Sequence, residues 1–249
     1  MSRTNSSPDG GGNLSARAAR IRTMRHETIT DAWLVVPVFN EAEVVADVIT
    51  EARKTFPHVV CVDDGSGDES ASEALRAGAA VVSHPINLGQ GAALQTGFDY
   101  ITAFTDAAYA ITFDADGQHD PADAAAMVDR ARDEGLGFVF GSRFMDRRTR
   151  PGLAKRVVLG TAIVGTRLAT GLRLTDAHNG LRVIRRDALE TVSLKQHGMA
   201  HASEIVTALA ATGLPWAEHP VHIRYTDYSR AKGQSLLNSV NILADLILK

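Results

Sequence analysis

Tyr109-Ala110-Ile111-Thr112-Phe113-Asp114-Ala115-Asp116-Gly117-Gln118 is a short β-type run that breaks into two aspartates and a glycine. Earlier in the chain, Cys61-Val62-Asp63-Asp64-Gly65-Ser66 repeats that pattern. In both stretches carboxylates arrive where a strand ends, the place where an α/β fold holds a nucleotide and its divalent metal. Mg²⁺ and Mn²⁺ take oxygen ligands, and two aspartates one residue apart can offer one carboxylate to the metal while the neighbour turns to the nucleotide. Either cluster alone reads as an ordinary acidic turn. Two of them in step with a strand–helix alternation point to metal-assisted chemistry on a nucleotide-linked substrate.

Outward from these stretches, apolar β-branched runs recur at residues 33–38, 58–62, 79–83, 109–113 and 138–141, separated by segments with helical spacing. This alternation predicts a mostly parallel, Rossmann-like sheet flanked by helices. In residues 41–54, Val44, Val45, Val48, Ile49 and Ala52 form one stripe, and Asn40 is placed to cap that helix. Further helices are expected at 90–103, 122–133 after Pro121, 153–170 and 202–212, with an amphipathic segment at 235–248 and a strand at 221–225. In open α/β sheets ligands lie beyond the carboxyl ends of the strands. Pro37, Asn40, Glu41, Asp63, Asp64, Asn87, Gly89, Asp114 and Asp116 all fall there, so four strand ends converge on one crevice.

At 249 residues, 45% hydrophobic and 22% charged, the chain suffices for one soluble α/β domain. Its net charge of −3 argues against a nucleic-acid binder, which needs a basic face. Basic residues nonetheless gather locally: Arg143, Arg147, Arg148, Arg150, Lys155 and Arg156 face only one acid, Asp146, and suit an anionic partner. The single cysteine, Cys61, lies inside an apolar run, where it reads as a small hydrophobe in a reducing cytoplasm. No segment reaches the roughly 20 apolar residues that span a bilayer. Residues 1–30, rich in Ser, Gly and Arg, read as a disordered leader, residues 31–234 as the single catalytic domain, and 235–249 as a terminal helix that packs on the core or lies on a membrane surface.

Six motifs in order now carry a resemblance: Val36-Pro-Val-Phe-Asn-Glu41, Val62-Asp-Asp-Gly-Ser-Gly-Asp68, Asn87-Leu-Gly-Gln-Gly-Ala-Ala93, Asp114-Ala-Asp-Gly-Gln-His-Asp-Pro121, Gly141-Ser-Arg-Phe144 and Thr175-Asp-Ala-His-Asn-Gly-Leu-Arg182. Over residues 33–235 the chain resembles the family 2 glycosyltransferases of the GT-A fold, and within them the dolichol- and polyprenyl-phosphate sugar synthases. The resemblance implies that Pro37, Val38 and Glu41, with Asn40, Asp64 and Gly89 beside them, line the pocket of a UDP or GDP sugar. It implies that Asp114 contacts nucleotide or metal, and that Asp116 with Gln118 coordinates Mg²⁺ or Mn²⁺. Arg143, with Arg156 as second cation, would bind the acceptor phosphate. Asp176, Arg182 and Lys232 would lie near the diphosphate. Leu181 departs from the family's usual Phe, and without a membrane span any membrane contact is expected to be peripheral.

Transfer of the sugar develops negative charge on the leaving diphosphate, and a cation at Asp116 would neutralise it, with inversion at the anomeric carbon. A phosphate monoester acceptor, with a second pKa near 6, needs cations to position it. A hydroxyl acceptor needs a base, for which Asp176 and Glu204 are the candidates. Arg143 and its basic neighbours favour the phosphate. A nucleotidyltransferase would carry a Gly-rich, Arg/Lys-bearing loop after the first strand, which residues 36–41 lack, and a silent binding module would have little use for the intact acidic motif. His119 reads as an exposed neighbour of the metal motif, while Trp216, His219 and His222 read as packing residues.

Overall fold

The computed structural model describes residues 28–145, 170–177, 179–196, 198 and 200–224. The expected helix at 153–170, apart from Thr170, the terminal segment 235–248, and the site candidates Arg156 and Lys232 lie outside those residues, as does the leader up to residue 27.

The elements run β1 (Ala32–Val38), α1 (Val45–Ala52), β2 (His58–Asp63), α2 (Ser70–Arg76), β3 (Ala80–Ser83), α3 (Gln90–Phe104), β4 (Tyr109–Thr112), α4 (Pro121–Asp133), β5 (Phe138–Ser142), β6 (Arg182–Arg185), α5 (Arg186–Leu189), α6 (His201–Ala211) and β7 (Trp216–Pro220). Among the described residues the strands form one seven-stranded sheet in the order β3-β2-β1-β4-β6-β5-β7. Strands β1 to β4 are parallel, and β6 runs antiparallel to both β4 and β5. The expected α/β architecture is therefore present, with one reversed strand inserted.

Period-two alternation along β1 sends Leu34, Val36 and Val38 into one buried layer with Val45 and Ile49 of α1 and Met127 and Val128 of α4. Val35 points into the opposite layer, among Leu94, Phe98 and Ile101 of α3 and Ile205 and Val206 of α6. Helices thus cover both faces, and the strand ends are left to make the site. Cys61 is buried in the first layer, and burial pushes its thiol pKa up to about 12.

Two local expectations need correction. Asn40 does not cap α1; it sits at φ 54°, donates its N–H to Ser66 Oγ (3.0 Å) and accepts from Gly67 N–H at Oδ1 (2.9 Å), so its side chain ties the β1 loop to the β2 loop. Helix α1 begins at Val45, five residues after Asn40, after a turn in which Val44 and Val45 N–H both bond Glu41 O. Among the described residues the last strand is β7 at Trp216–Pro220, and residues 221–224 of the strand expected at 221–225 do not belong to it. It starts directly after Pro215, because Trp216 stacks on Phe138 (centroids 6.5 Å) and pairs with it across the ladder.

Candidate active site

The crevice is assembled from the loops that follow β1, β2, β3, β4 and β5. Asp64, buried at the end of β2, accepts from Leu88 N–H (2.9 Å) and His84 Nδ1 (2.7 Å) at one oxygen and from Gly89 N–H (2.7 Å) at the other. His84 Nε2 in turn meets Thr96 Oγ1 at 2.9 Å. Gly89, at φ 97°, is the residue before α3, a backbone region that only glycine enters cheaply. Asp64 thereby fixes where α3 starts. The half-buried Pro37 and buried Val38 end β1, and Glu41 donates its N–H to Ser70 Oγ (2.8 Å), which pins the β1 loop beside the β2 loop.

Beyond β4, Asp114 opens toward the crevice with 33% of its side chain exposed. His119 Nε2 lies 2.9 Å from its Oδ2 and Gln90 Nε2 3.3 Å from its Oδ1. Burial alone would raise the Asp114 pKa, but His119 and Arg182 outweigh it and hold the carboxylate below its ordinary value. Gly180 allows this arrangement, since a Cβ there would fall 2.3 Å from Asp114 Oδ2. His119 is not exposed as expected: its side chain is 3% exposed, wedged edge-on against Phe113, with Nδ1 lacking a partner among the described residues.

Asp116 behaves in the opposite sense. Burial, then the charges of Asp114 and Glu41, push its pKa up, although Gln118 N–H donates to its Oδ1 at 3.0 Å. Carboxylates crowded until one resists ionising are what a hard divalent cation relieves, so the oxygen donors of Asp116 and Asp114 fit Mg²⁺ or Mn²⁺. Among the described residues no three His, Cys, Asp or Glu side chains form a metal cage. Mg²⁺ in nucleotide sites commonly takes one or two carboxylates, with substrate phosphates and water as the remaining ligands. Gln118 is buried, and its backbone carbonyl accepts from Arg224 N–H at 2.9 Å. A cavity of about 250 Å³ lies against Asp116, His119, Val44, Val48 and Phe113.

At the other side of the crevice, Arg182 of β6 is 2% exposed, and burial lowers its pKa to about 10 against the opposing pull of Asp114 and Asp176. Arg143, just past β5, donates Nε (2.6 Å) and Nη2 (2.8 Å) to the two carboxylate oxygens of Asp176, and its backbone N–H adds a third bond at 3.1 Å. The Asp176 side chain is fully buried, while that of Arg143 keeps 25% exposure. Glu204 accepts from the backbone N–H groups of Lys195 and Gln196 at 2.8–3.0 Å, which makes it a brace for the loop before α6. Sequence reasoning missed Glu218, whose Oε1 accepts from Thr175 and Asp176 N–H, and His84. Neither belongs to a motif, and only the long-range pairing reveals them.

The sequence profile of Glycosyl transferase family 2 matches residues 33–193, well over half of the chain. The chain belongs to this family. The family's enzymatic character agrees with the relatives: this protein is a glycosyltransferase with a GT-A fold. It is 33% identical over 224 residues to an uncharacterized protein of Methanocaldococcus jannaschii, an alignment covering 88% of this chain and 92% of that one. It is 28% identical to the UDP-N-acetylglucosamine–dolichyl-phosphate N-acetylglucosaminyltransferase of Methanococcus voltae, covering 87% and 94% of the two chains. Among solved structures, glucosyl-3-phosphoglycerate synthase from Mycobacterium tuberculosis with Mn²⁺, UDP and phosphoglyceric acid superposes with a TM-score of 0.63 at 20% identity, covering 87% and 77%. In this family member, no helix among the described residues is long and apolar enough to cross a membrane.

Proposed function

We propose that this glycosyltransferase transfers a hexose, with inversion, from a nucleoside diphosphate sugar to a polyprenyl phosphate. The observation that carries the acceptor half is the state of the carboxylates. Both oxygens of Asp176 are engaged by Arg143, and those of Glu204 by a backbone loop, so neither candidate base is poised to take a proton from a hydroxyl. A phosphate monoester needs no base. Arg143, held by a bidentate partner at the crevice, offers the positioning that such an acceptor requires. The Methanococcus voltae relative is named for a dolichyl-phosphate acceptor, and a 29% identical Enterobacter protein for an undecaprenyl-phosphate one; the latter alignment covers 89% of this chain and 68% of that protein.

For the donor half, Pro37, Val38, Asn40, Glu41 and the Asp64-braced Gly89 loop would frame base and ribose, and Arg182 would face the diphosphate. Asp116, Asp114 and Gln118 would hold Mg²⁺ or Mn²⁺, and when bound the ion supplies charge neutralisation at the leaving diphosphate. Asp176 then acts as the holder of Arg143. Peripheral contact with a membrane follows from the lipid acceptor. A panel of UDP and GDP sugars with a short-chain polyprenyl phosphate, in Mn²⁺, tests the whole reading. Product is expected with one donor and is lost in Arg143→Ala. Transfer to a hydroxyl acceptor with the phosphate inert would refute it.

A further inference from the structure

Glu218 lies on β7, and its carboxylate bonds the Thr175-Asp176 loop. Its Oε1 accepts from Thr175 N–H (2.7 Å) and Asp176 N–H (3.2 Å), and both of its oxygens lie within 3.1 Å of Thr175 Oγ1. Thr175 Oγ1 also meets Ser142 Oγ at 2.6 Å, and Ser142 Oγ accepts from Phe144 N–H. These bonds close a ring around Arg143. One side is the β5 end, Ser142 to Phe144; the other is the Thr175-Asp176 loop; Glu218 on the neighbouring strand clamps that loop. Register supports the clamp, because β7 pairs with β5 over Phe138 to Ser142 and so cannot slide independently of the Arg143 backbone.

A carboxylate that is half-buried and stands near another carboxylate, Asp176, is an uncomfortable residue to place for stability alone; burial is the main force that raises its pKa. It is tolerated because its oxygens take three donors of one loop. That loop carries the only carboxylate shown bonded to the Arg143 guanidinium among the described residues.

We propose that Glu218 is a positioning residue for the acceptor: through Thr175 and Asp176 it sets the guanidinium of Arg143 for an anionic acceptor headgroup. The idea rests on the assignment of Arg143 to the acceptor phosphate. The test measures binding, by titration calorimetry, of farnesyl phosphate as acceptor probe and of UDP with Mn²⁺ as donor probe. Glu218→Ala is expected to weaken farnesyl phosphate at least tenfold and leave UDP within twofold. Glu218→Gln, which keeps an oxygen for the two backbone donors, should recover most of the lost affinity. In an Arg143→Ala background Glu218→Ala should cost nothing more. Native farnesyl phosphate affinity in Glu218→Ala, or a loss that adds in full to that of Arg143→Ala, overturns the proposal. If Arg143→Ala itself binds farnesyl phosphate normally, the acceptor assignment fails instead. Should Glu218→Ala not fold, Thr175→Val cuts the same link at its hydroxyl: an acceptor-specific loss that vanishes without Arg143 supports the proposal, and unchanged affinity overturns it.

Discussion

Asp114 and Asp116 are two residues apart on one loop, yet their surroundings push the pKa of Asp114 down and that of Asp116 up. His119 and Arg182 stabilise the Asp114 charge, whereas Asp116 meets burial and the charges of Asp114 and Glu41. The sequence spacing showed that two carboxylates would share the strand end; it did not show that His119 and Arg182 would gather at Asp114 and not at Asp116. Gly180 leaves room for the Asp114 carboxylate, and Gly180→Ala is expected to displace Asp114 and weaken Mn²⁺-dependent UDP binding at least tenfold, read by calorimetry, with the far-UV circular dichroism unchanged. Cys61 offers a separate check. A thiol pushed from 9.0 to about 12 is a thiolate at pH 8 in about one molecule in ten thousand, against about one in ten at the ordinary value, and the thiolate is the nucleophile. Alkylation by iodoacetamide at pH 8 should therefore be slowed about a thousandfold in the native protein and recover in denaturant. Rapid labelling of the native chain would show that β2 is not buried as described.

At the scale of elements, most strands were legible because apolar β-branched runs bounded by turn residues have few other readings, and α4 was legible from Pro121, which opens it; the structure adds Asp120 as its cap. Strand β6 was not. Arg182-Val-Ile-Arg185 is too short and too charged at both ends to stand out, and it is a strand because β4 and β5 flank it. The same blindness to long-range pairing hid the Asp176 clasp on Arg143 and the clamp by Glu218, since nothing in local spacing says that residues 143, 176 and 218 meet. It also misjudged Asn40, whose partners are in the β2 loop and not at the first turn of α1. Asp64 marks the boundary: its place at a strand end was readable, its three donors were not. Asp64→Ala would take the acceptor from the part-buried Leu88 and Gly89 N–H groups, at a cost of about 1 kcal/mol for each lost bond, because water reaches this loop. A lowered urea midpoint, with faster hydrogen exchange at those two amides, is the expected result. Asn should not rescue it, because all three bonds need acceptors at both oxygens.

Over the whole molecule, the helices that seal both faces of the sheet leave its polar strand ends open, and the groups proposed for donor and acceptor reach that edge from both halves of the sheet. The β1 and β2 loops and the start of α3 belong to the parallel half; Arg143, Asp176 and Arg182 come from the half built around the reversed β6. The acidic loop after β4 stands between them, next to β6 in the sheet. A ligand that joins the halves should therefore stabilise the entire domain, not one loop. Binding to the folded state alone, at a hundred times its dissociation constant, contributes about 2.7 kcal/mol, and in a chain of this length each kcal/mol raises Tm by roughly 2–4 °C. Saturating UDP or GDP with Mn²⁺ should thus raise Tm by roughly 5–10 °C in one cooperative transition, with nucleotide alone or metal alone giving a small fraction of that. The shift should vanish on chelation by EDTA and in Asp116→Asn. A full shift that survives EDTA, or that persists in Asp116→Asn, would mean that nucleotide binding does not run through the acidic loop after β4.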